Sequence, residues 1–484
     1  MNPEEPEGIV LEPAALAEDS ARADTGQGHE SDRFDEENRL KPEFVRRVQD
    51  ALETGDTHRV YELVEPLHPA DIADLFELIG RDERRPLARA ISDLMSVEVI
   101  AELNDHVREL FVEDLPAGII ADIAELLETD DAVAMIEDLD EDDRQAVLAE
   151  LEPEDRAAIE SALAHPEETA GRLMSHDFVA FPEHLTVGDL IDFLREDRQL
   201  ATEFWEVFIV DPAHHPVGSC TLSWILRAPR HVALSDVMKR DQTLIPVTMD
   251  QEEVALRFQK YALISAAVVD GSGRLVGQIT VDDVVHIIQE EAGEDVLLLS
   301  GAGDGDINEP IGLTIRTRLT WLVVNLGTAI IASSVVGLFE GAIARFAVLA
   351  VLMPIVSGMG GNAGTQTLAV VVRALATNQL TESNTWRMIG REFRIASVNG
   401  LSLGVLIGSG VALWSGNLLL GGVIAAAMII NNLIAGLAGI LVPLTLDRLR
   451  IDPAVSSAVF VTMATDVMGF FSFLGLAVLA GLTG

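Results

Sequence analysis

Residues 454–484 read AVSSAVFVTMATDVMGFFSFLGLAVLAGLTG, and Asp466 is the one charged side chain among them. A stretch this long and this apolar crosses a bilayer as a helix. A carboxylate near its middle costs about 2.5–3.5 kcal/mol on insertion scales unless water or a cation compensates it. The default reading is therefore an ion or proton pathway, with Asp466 as its first candidate residue. Thr462, Gly469 and Phe470 stand on the same helical face.

Working back from this segment, further apolar stretches of spanning length fall at about 319–339, 343–375, 395–415 and 418–446. With five spans, Arg316, Arg318, Arg373, Arg387, Arg391, Arg394, Arg448 and Arg450 all lie on the side that carries the N-terminal residues. The positive-inside rule makes that side the cytoplasm of a cell-membrane protein and puts the C-terminus outside it. Only Arg345, near Glu340, falls on the other side. An odd number of spans gives no simple internal repeat, so a pore calls for a second subunit in the lipid bilayer. The second span carries PIVSGMGGNAGTQ (residues 354–366), whose proline and glycines predict an interrupted helix lining a wet cavity. Asn362 and Gln366 share one face there, with Thr365 beside them, and add oxygen ligands. Asn431 and Asn432 in the fourth span read as glue between helices rather than as ligands. Asp452, before Pro453, stands at the start of the fifth span, where it attracts cations or caps a helix.

Charge separates two halves. Residues 311–484 hold nine arginines, no lysine and six acids, a net of +3, whereas residues 1–310 hold 24 basic and 72 acidic residues, a net of −48. So acidic a soluble half repels nucleic acid, which argues against DNA or RNA binding, and attracts cations. The lone cysteine, Cys220, excludes an intramolecular disulfide and fits a reducing compartment. Residues 1–40 are charged and poor in apolar residues; they read as a disordered acidic extension and not as a signal peptide. Residues 41–170 follow a helical period, as in Ile119, Ile123, Leu126 and Leu127. LDEDDRQAVLAEL (139–151) runs into LEPEDRAAIESAL (151–163), a short repeat that predicts stacked helices. No nucleophile–base pair or catalytic metal motif appears, so the chain reads as a non-enzyme.

Residues 171–292 change to short apolar runs, FVAF (178–181), VFIV (207–210), LIPV (244–247) and SAAVV (265–269). Two copies of one unit align there: Asp211, Gly218 and Thr221 recur 59 residues on as Asp270, Gly277 and Thr280. The tandem unit resembles a pair of CBS domains, at about 171–232 and 233–292. The resemblance implies at most one site for ATP or another adenine nucleotide, at Thr280 and Asp283, because Trp224 stands where the first copy needs the equivalent acid.

An acidic helical domain, a CBS pair, an acidic connecting helix (293–315) and a five-span domain (316–484) with PIVSGMGGNAGTQ and TDVMGFFSFLGLA (465–477) together resemble the MgtE family of magnesium channels. The expected fold is thus a multidomain membrane protein with an all-α solenoid-like N-terminal domain, an α/β tandem CBS pair and a five-helix α transmembrane domain. The donors in the spans are all hard oxygens, which suits Mg²⁺, Ca²⁺ or Mn²⁺ and argues against copper or zinc. The resemblance selects Mg²⁺ and implies a homodimeric pore between the second and fifth spans, with Asp466 as its aspartate and Asn362, Thr365 and Gln366 nearby. It also implies a sensor in which Mg²⁺, bound among acids matching Asp250, Glu252, Asp283, Glu291, Glu294 and Asp295, holds the pore shut. Ala134 and Ala262 stand where that sensor has acids. The expected function is Mg²⁺ uptake closed by cytosolic Mg²⁺. The alternatives are a proton- or sodium-coupled carrier of divalent cations and a membrane-anchored nucleotide sensor.

Overall fold

The computed structural model describes residues 32–482 apart from 113–114, 138, 197–203, 302–308, 310, 382 and 456. Residues 1–31 of the expected disordered extension lie outside the described residues. Asp32–Leu40 do not follow that expectation: Phe34 and Leu40 close a turn by a β-bridge, and Leu40 is buried in the first helical core. The chain forms two compact units, one reaching to Asp250 and including Ile264–Thr280, the other made of Gln251–Leu263 and Val281–Gly484.

The first unit begins with short helices around two consecutive cores. One core gathers Phe44, Phe76 and Ile91 among others; the next gathers Ile120, Met135, Ile136 and Ile159. The repeat read from sequence becomes the helices Glu141–Glu150 and Pro153–Leu163. Asp140 caps the first by accepting from the N–H groups of Asp142 and Asp143. Pro153 opens the second, where a missing N–H loses nothing. The helical period around residue 120 is shifted from the one read in sequence. Ile120, Ala121 and Ala124 are buried while Ile119 and Leu126 are exposed, because the helix Ala117–Ala124 ends before Leu126.

Two three-stranded sheets follow: β1 (Ala180–Pro182), β2 (Glu206–Val210) and β3 (Pro216–Thr221), then β4 (Ile245–Pro246), β5 (Ser265–Val269) and β6 (Leu275–Thr280). In both, the first strand pairs parallel with the second and the second antiparallel with the third, with a register shift at the same place, Ile209/Val210 and Val268/Val269. The copies exchange their leading segments. Ser175 pairs with Gln278 of β6, and Lys239 pairs with Ser219 of β3. Met174 then lies over Gly277 and Met238 over Gly218, where an added Cβ would come within 2.8 Å and 2.7 Å of sulfur. Positions 59 apart also meet directly: Ser265 donates to Glu206 at 2.8 Å, and Phe208 shares a core with Ala267. The sequence repeat is thus a spatial two-fold.

Cys220 on β3 is buried, and burial, followed by the nearby Glu206 charge, pushes its thiol up to about 11. Against the usual 9.0, about 100-fold less thiolate forms at neutral pH. Alkylation of the folded protein at pH 7.5 is therefore expected to be slower than that of the urea-unfolded chain by about that factor; equal rates would contradict the burial. Because the folded thiol ionises later than the unfolded one, this group's contribution to stability is intact below pH 9 and is lost as pH rises toward 11.

The second unit holds the helices Gln251–Tyr261 and Val281–Ser300 and five helices long and apolar enough to span a membrane: Ile311–Gly337, Val348–Ala376, Thr385–Ser415, Leu418–Arg448 and Ser457–Leu479. The fourth is the most buried and packs against the second, third and fifth. The first packs on the fifth and exposes Leu319, Leu322, Leu326 and Ile330, as a lipid-facing surface does. The expected interruption of the second span is absent: Val348–Ala376 is one continuous helix. Pro354 sits two turns in, where the acceptor it leaves without an N–H is the carbonyl of Ala350. The glycines serve close approach instead. A Cβ on Gly360 would lie 2.1 Å from the Asn431 amide nitrogen, and one on Gly364 would lie 2.5 Å from Val461.

Gly400, Gly404 and Gly408 form a stripe on the third span that lets the fourth approach backbone to backbone. A Cβ on Gly408 would stand 2.7 Å from the carbonyl oxygen of Gly421. Gly408→Leu is expected to destabilise the protein by about 1–3 kcal/mol or more, read as a lowered unfolding temperature in detergent. Gly410→Leu, with open space at its Cβ, serves as the matched control and should leave that temperature nearly unchanged.

Candidate ion pathway and the family of the chain

Asp466 lies half-buried at the middle of the fifth span, Ser457–Leu479. Its partner is Ser357 of the second span, whose hydroxyl donates to Asp466 Oδ1. No hydrogen bond to Oδ2 occurs among the described residues, so one carboxylate oxygen keeps its acceptor capacity. The contact joins the two spans expected to form a pathway, and sequence reading did not single out Ser357. A serine in a small-residue run carries no pattern of its own; only its height relative to Asp466 marks it.

Behind this pair, Asn431 of the fourth span is fully buried and donates from Nδ2 to the carbonyl of Val356 at 2.8 Å. Its neighbours are Gly360 and Gly469, so it wedges between the second and fifth spans. Asn431 Oδ1 has no hydrogen-bond partner among the described residues. Asn432, also buried, bonds back to Met428 O of its own helix at 2.9 Å.

The other expected pathway residues sit at the margins of this contact. Pro354, Gly358, Asn362 and Gln366 recur every fourth residue and form an exposed stripe on the second span, with the two amides at its later half. Within the chain no bond joins Asn362 or Gln366 to Asp466 among the described residues. The Thr365 hydroxyl donates to the carbonyls of Gly361 and Asn362, both at 3.1 Å. Thr462 is half-buried one turn before Asp466, and its carbonyl accepts from the Thr465 hydroxyl at 2.9 Å. Exposed Asp452 accepts from Ala454 N–H at 2.7 Å, the capping geometry, before the fifth span begins. A second buried carboxylate, Glu392 of the third span, accepts from Thr367 at 3.3 Å and pairs with Arg391 at 3.5 Å.

The expected sensor acids line up along two helices of the second unit and the residue before one of them. Glu252 lies in the first turn of Gln251–Tyr261, directly after Asp250. Asp283, Glu291, Glu294 and Asp295 all fall within Val281–Ser300, a helix that starts well before residue 293. The side chain of Asp295 lies outside the described residues. Gln251 donates to Glu291 at 2.7 Å. Among the described residues, no three His, Cys, Asp or Glu side chains of one chain converge as a metal site. Ala262 departs from the expected acid and adopts a left-handed conformation, φ +50°, which Asp or Asn accepts more readily than Ala. In the N-terminal helices the acids already crowd one another. Burial first, then Asp71 and Glu102, raises Asp74; burial first, then Glu125, Glu154 and Asp177, raises Asp155. Thr280 closes β6, and the counterpart Thr221 closes β3 and meets Ser223, with Trp224 largely exposed beyond it.

An acidic soluble half with a two-fold βαβ pair, joined to five spans with a carboxylate at membrane depth, defines a cation-transport membrane protein of the CBS-bearing kind. Comparison places it further. Residues 353–476 match the family described as divalent cation transporter, residues 67–168 the MgtE intracellular N domain, and residues 234–290 the CBS domain. The chain is 30% identical to the magnesium transporter MgtE of Bacillus subtilis, covering 91% of this chain and 98% of that one. It is 30% identical to its namesake in Thermus thermophilus, covering 90% and 98%. The chain belongs to the MgtE family. A solved structure of the cytosolic domain of the Mg²⁺ channel MgtE in complex with ATP is 28% identical, covers 50% of this chain and 99% of that one, and has a TM-score of 0.46.

Proposed function

We propose that this chain carries Mg²⁺ across a membrane as a homodimeric channel that cytosolic Mg²⁺ closes. The observation that carries the reading is the Asp466–Ser357 pair, a carboxylate held at membrane depth by a neighbouring span and left with a free oxygen. A hydrated Mg²⁺ releases water reluctantly, so one carboxylate and hydroxyls facing its hydration shell are a suitable filter. Two copies of Asp466 across a dimer axis would match the charge of one divalent cation. The exposed stripe Pro354–Gly358–Asn362–Gln366, with two amides on a span, supports placing that axis against the second span.

In this reading closure rests on the acids of Val281–Ser300 together with Asp250 and Glu252. Carboxylates repel until a divalent cation neutralises them, so Mg²⁺ favours the state that brings them together. Their donor set is all hard oxygen, which fits Mg²⁺. The arginines of the spans orient the soluble half to the cytoplasm of a cell membrane and the C-terminus outside. ATP or another adenine nucleotide at Thr280 and Asp283 would tune the sensor.

Flux in liposomes tests this. Mg²⁺ entry is expected without any proton or sodium gradient and is expected to fall when Mg²⁺ is loaded on the sensor side. Entry that requires such a gradient would establish the coupled carrier instead. For the nucleotide, calorimetry on the full chain should show ATP binding that Thr280→Ala weakens; an identical isotherm for the two removes Thr280 from the reading.

A further inference from the structure

Where the second span ends and the third begins, a cavity of about 640 Å³ is lined by Arg373, Arg387, Arg391 and Arg394 together with Gln379 and Asn384. Its remaining walls are apolar, Val370, Ala374, Leu380 and Met388. Four exposed guanidinium groups gather around one cavity, and the described residues pair few of them. Among the described residues the one ion pair is Arg391 to Glu392 at 3.5 Å, and Glu392 is itself buried against Thr367 outside the cavity wall. Arg394 bonds to the carbonyl of Gly390, at 3.0 Å. Arg387, Arg391 and Arg394 succeed one another along one face of the third span, Thr385–Ser415, whose first residues add the positive end of the helix dipole. Asn384 makes no cap there, because its Oδ1 accepts from Thr381 N–H at 2.9 Å.

We propose that this cavity binds a phosphate-bearing anion, and that its source is the headgroup of an acidic phospholipid. Guanidinium forks match phosphate oxygens two at a time, and Gln379 and Asn384 offer further polar contacts. Two observations favour the lipid over a soluble phosphate. Trp386, which precedes Arg387 in the first turn of the third span, is 83% exposed, and exposed tryptophan at a span end belongs at headgroup level. The apolar wall made by Val370, Leu380 and Met388 suits the glycerol end of acyl chains, which a free phosphate lacks.

The test uses the full chain, stripped of lipid in detergent and titrated with phosphatidylglycerol or phosphatidylcholine while native mass spectrometry counts retained lipid. Phosphatidylglycerol should be retained in preference, and Arg387→Gln and Arg391→Gln should each weaken retention about fivefold. Arg387→Lys, which keeps the charge and loses the fork, should weaken it less. The double variant Arg448→Gln, Arg450→Gln removes twice that charge from another helix end and should retain lipid as the wild type does. A parallel titration with inorganic phosphate separates the sources. Phosphate binding that the cavity variants lose, without lipid retention, keeps the phosphate site and replaces its source. The proposal fails if neither lipid nor phosphate binding differs between wild type and cavity variants. It fails equally if the Arg448, Arg450 variant loses as much as they do.

Discussion

Asp466→Asn is expected to lower Mg²⁺ flux by about tenfold to several-hundredfold while the protein becomes slightly harder to unfold. The flux estimate follows from removing a unit charge that meets a divalent ion about 4 Å away, worth ~2 kcal/mol in a watery dielectric and more in a less watery one. The stability gain follows from the same charge. At membrane depth it costs about 2.5–3.5 kcal/mol, and part of that returns when the side chain is neutral. Asparagine keeps an oxygen where Ser357 donates, so the packing between the second and fifth spans stays as it is. Opposite signs for flux and stability separate a pore carboxylate from a structural one, since a structural hydrogen-bonding group would lose both together. Liposome flux and thermal unfolding on one preparation measure the pair. If Asp466→Asn conducts at the wild-type rate with unchanged selectivity, Asp466 is not in the pathway.

Much of this was legible in the sequence, for physical reasons that differ from one region to another. Span number follows from length and hydropathy alone, and all five appear, but the first and third helices begin well before their expected starts, at Ile311 and Thr385, because their arginine-bearing first turns are helical without being apolar. The CBS pair was legible through its 59-residue repeat, although the exchange of Met174 and Met238 between copies was not, because nothing local shows which sheet a leading segment joins. PIVSGMGGNAGTQ misled in one respect. Glycine and proline break helices in water, but in a bilayer the backbone must keep its bonds, and the same glycines allow close packing. The Gly400–Gly404–Gly408 stripe carries the four-residue spacing of close helix packing, but the spacing alone does not say which span it admits. Ser357 and Glu392 had no such signal; their partners, Asp466 and Thr367, are remote in sequence.

Asn431 shows how tightly the pathway depends on a residue outside it, and its replacement carries the second large effect. Its amide fills the space above Gly360 and beside Gly469, and its bond to the Val356 carbonyl fixes the residue before Ser357. Asn431→Ala removes that bond and leaves a void, together about 1–3 kcal/mol of stability, and it frees the second span to slide against the fifth. Flux per folded protein should fall although Asp466 and Ser357 are both present. Gly360→Ala should be as damaging for the opposite reason, since its Cβ would stand 2.1 Å from Asn431 Nδ2. Combined, the two changes should partly cancel, because the new methyl enters the space the amide has left. A double-mutant cycle in unfolding free energy and in flux measures this, with a coupling of about 1–3 kcal/mol expected for groups in direct contact. Additive losses would mean that Asn431 does not hold the second span through Gly360, and that Ser357 is positioned by the helix backbone alone.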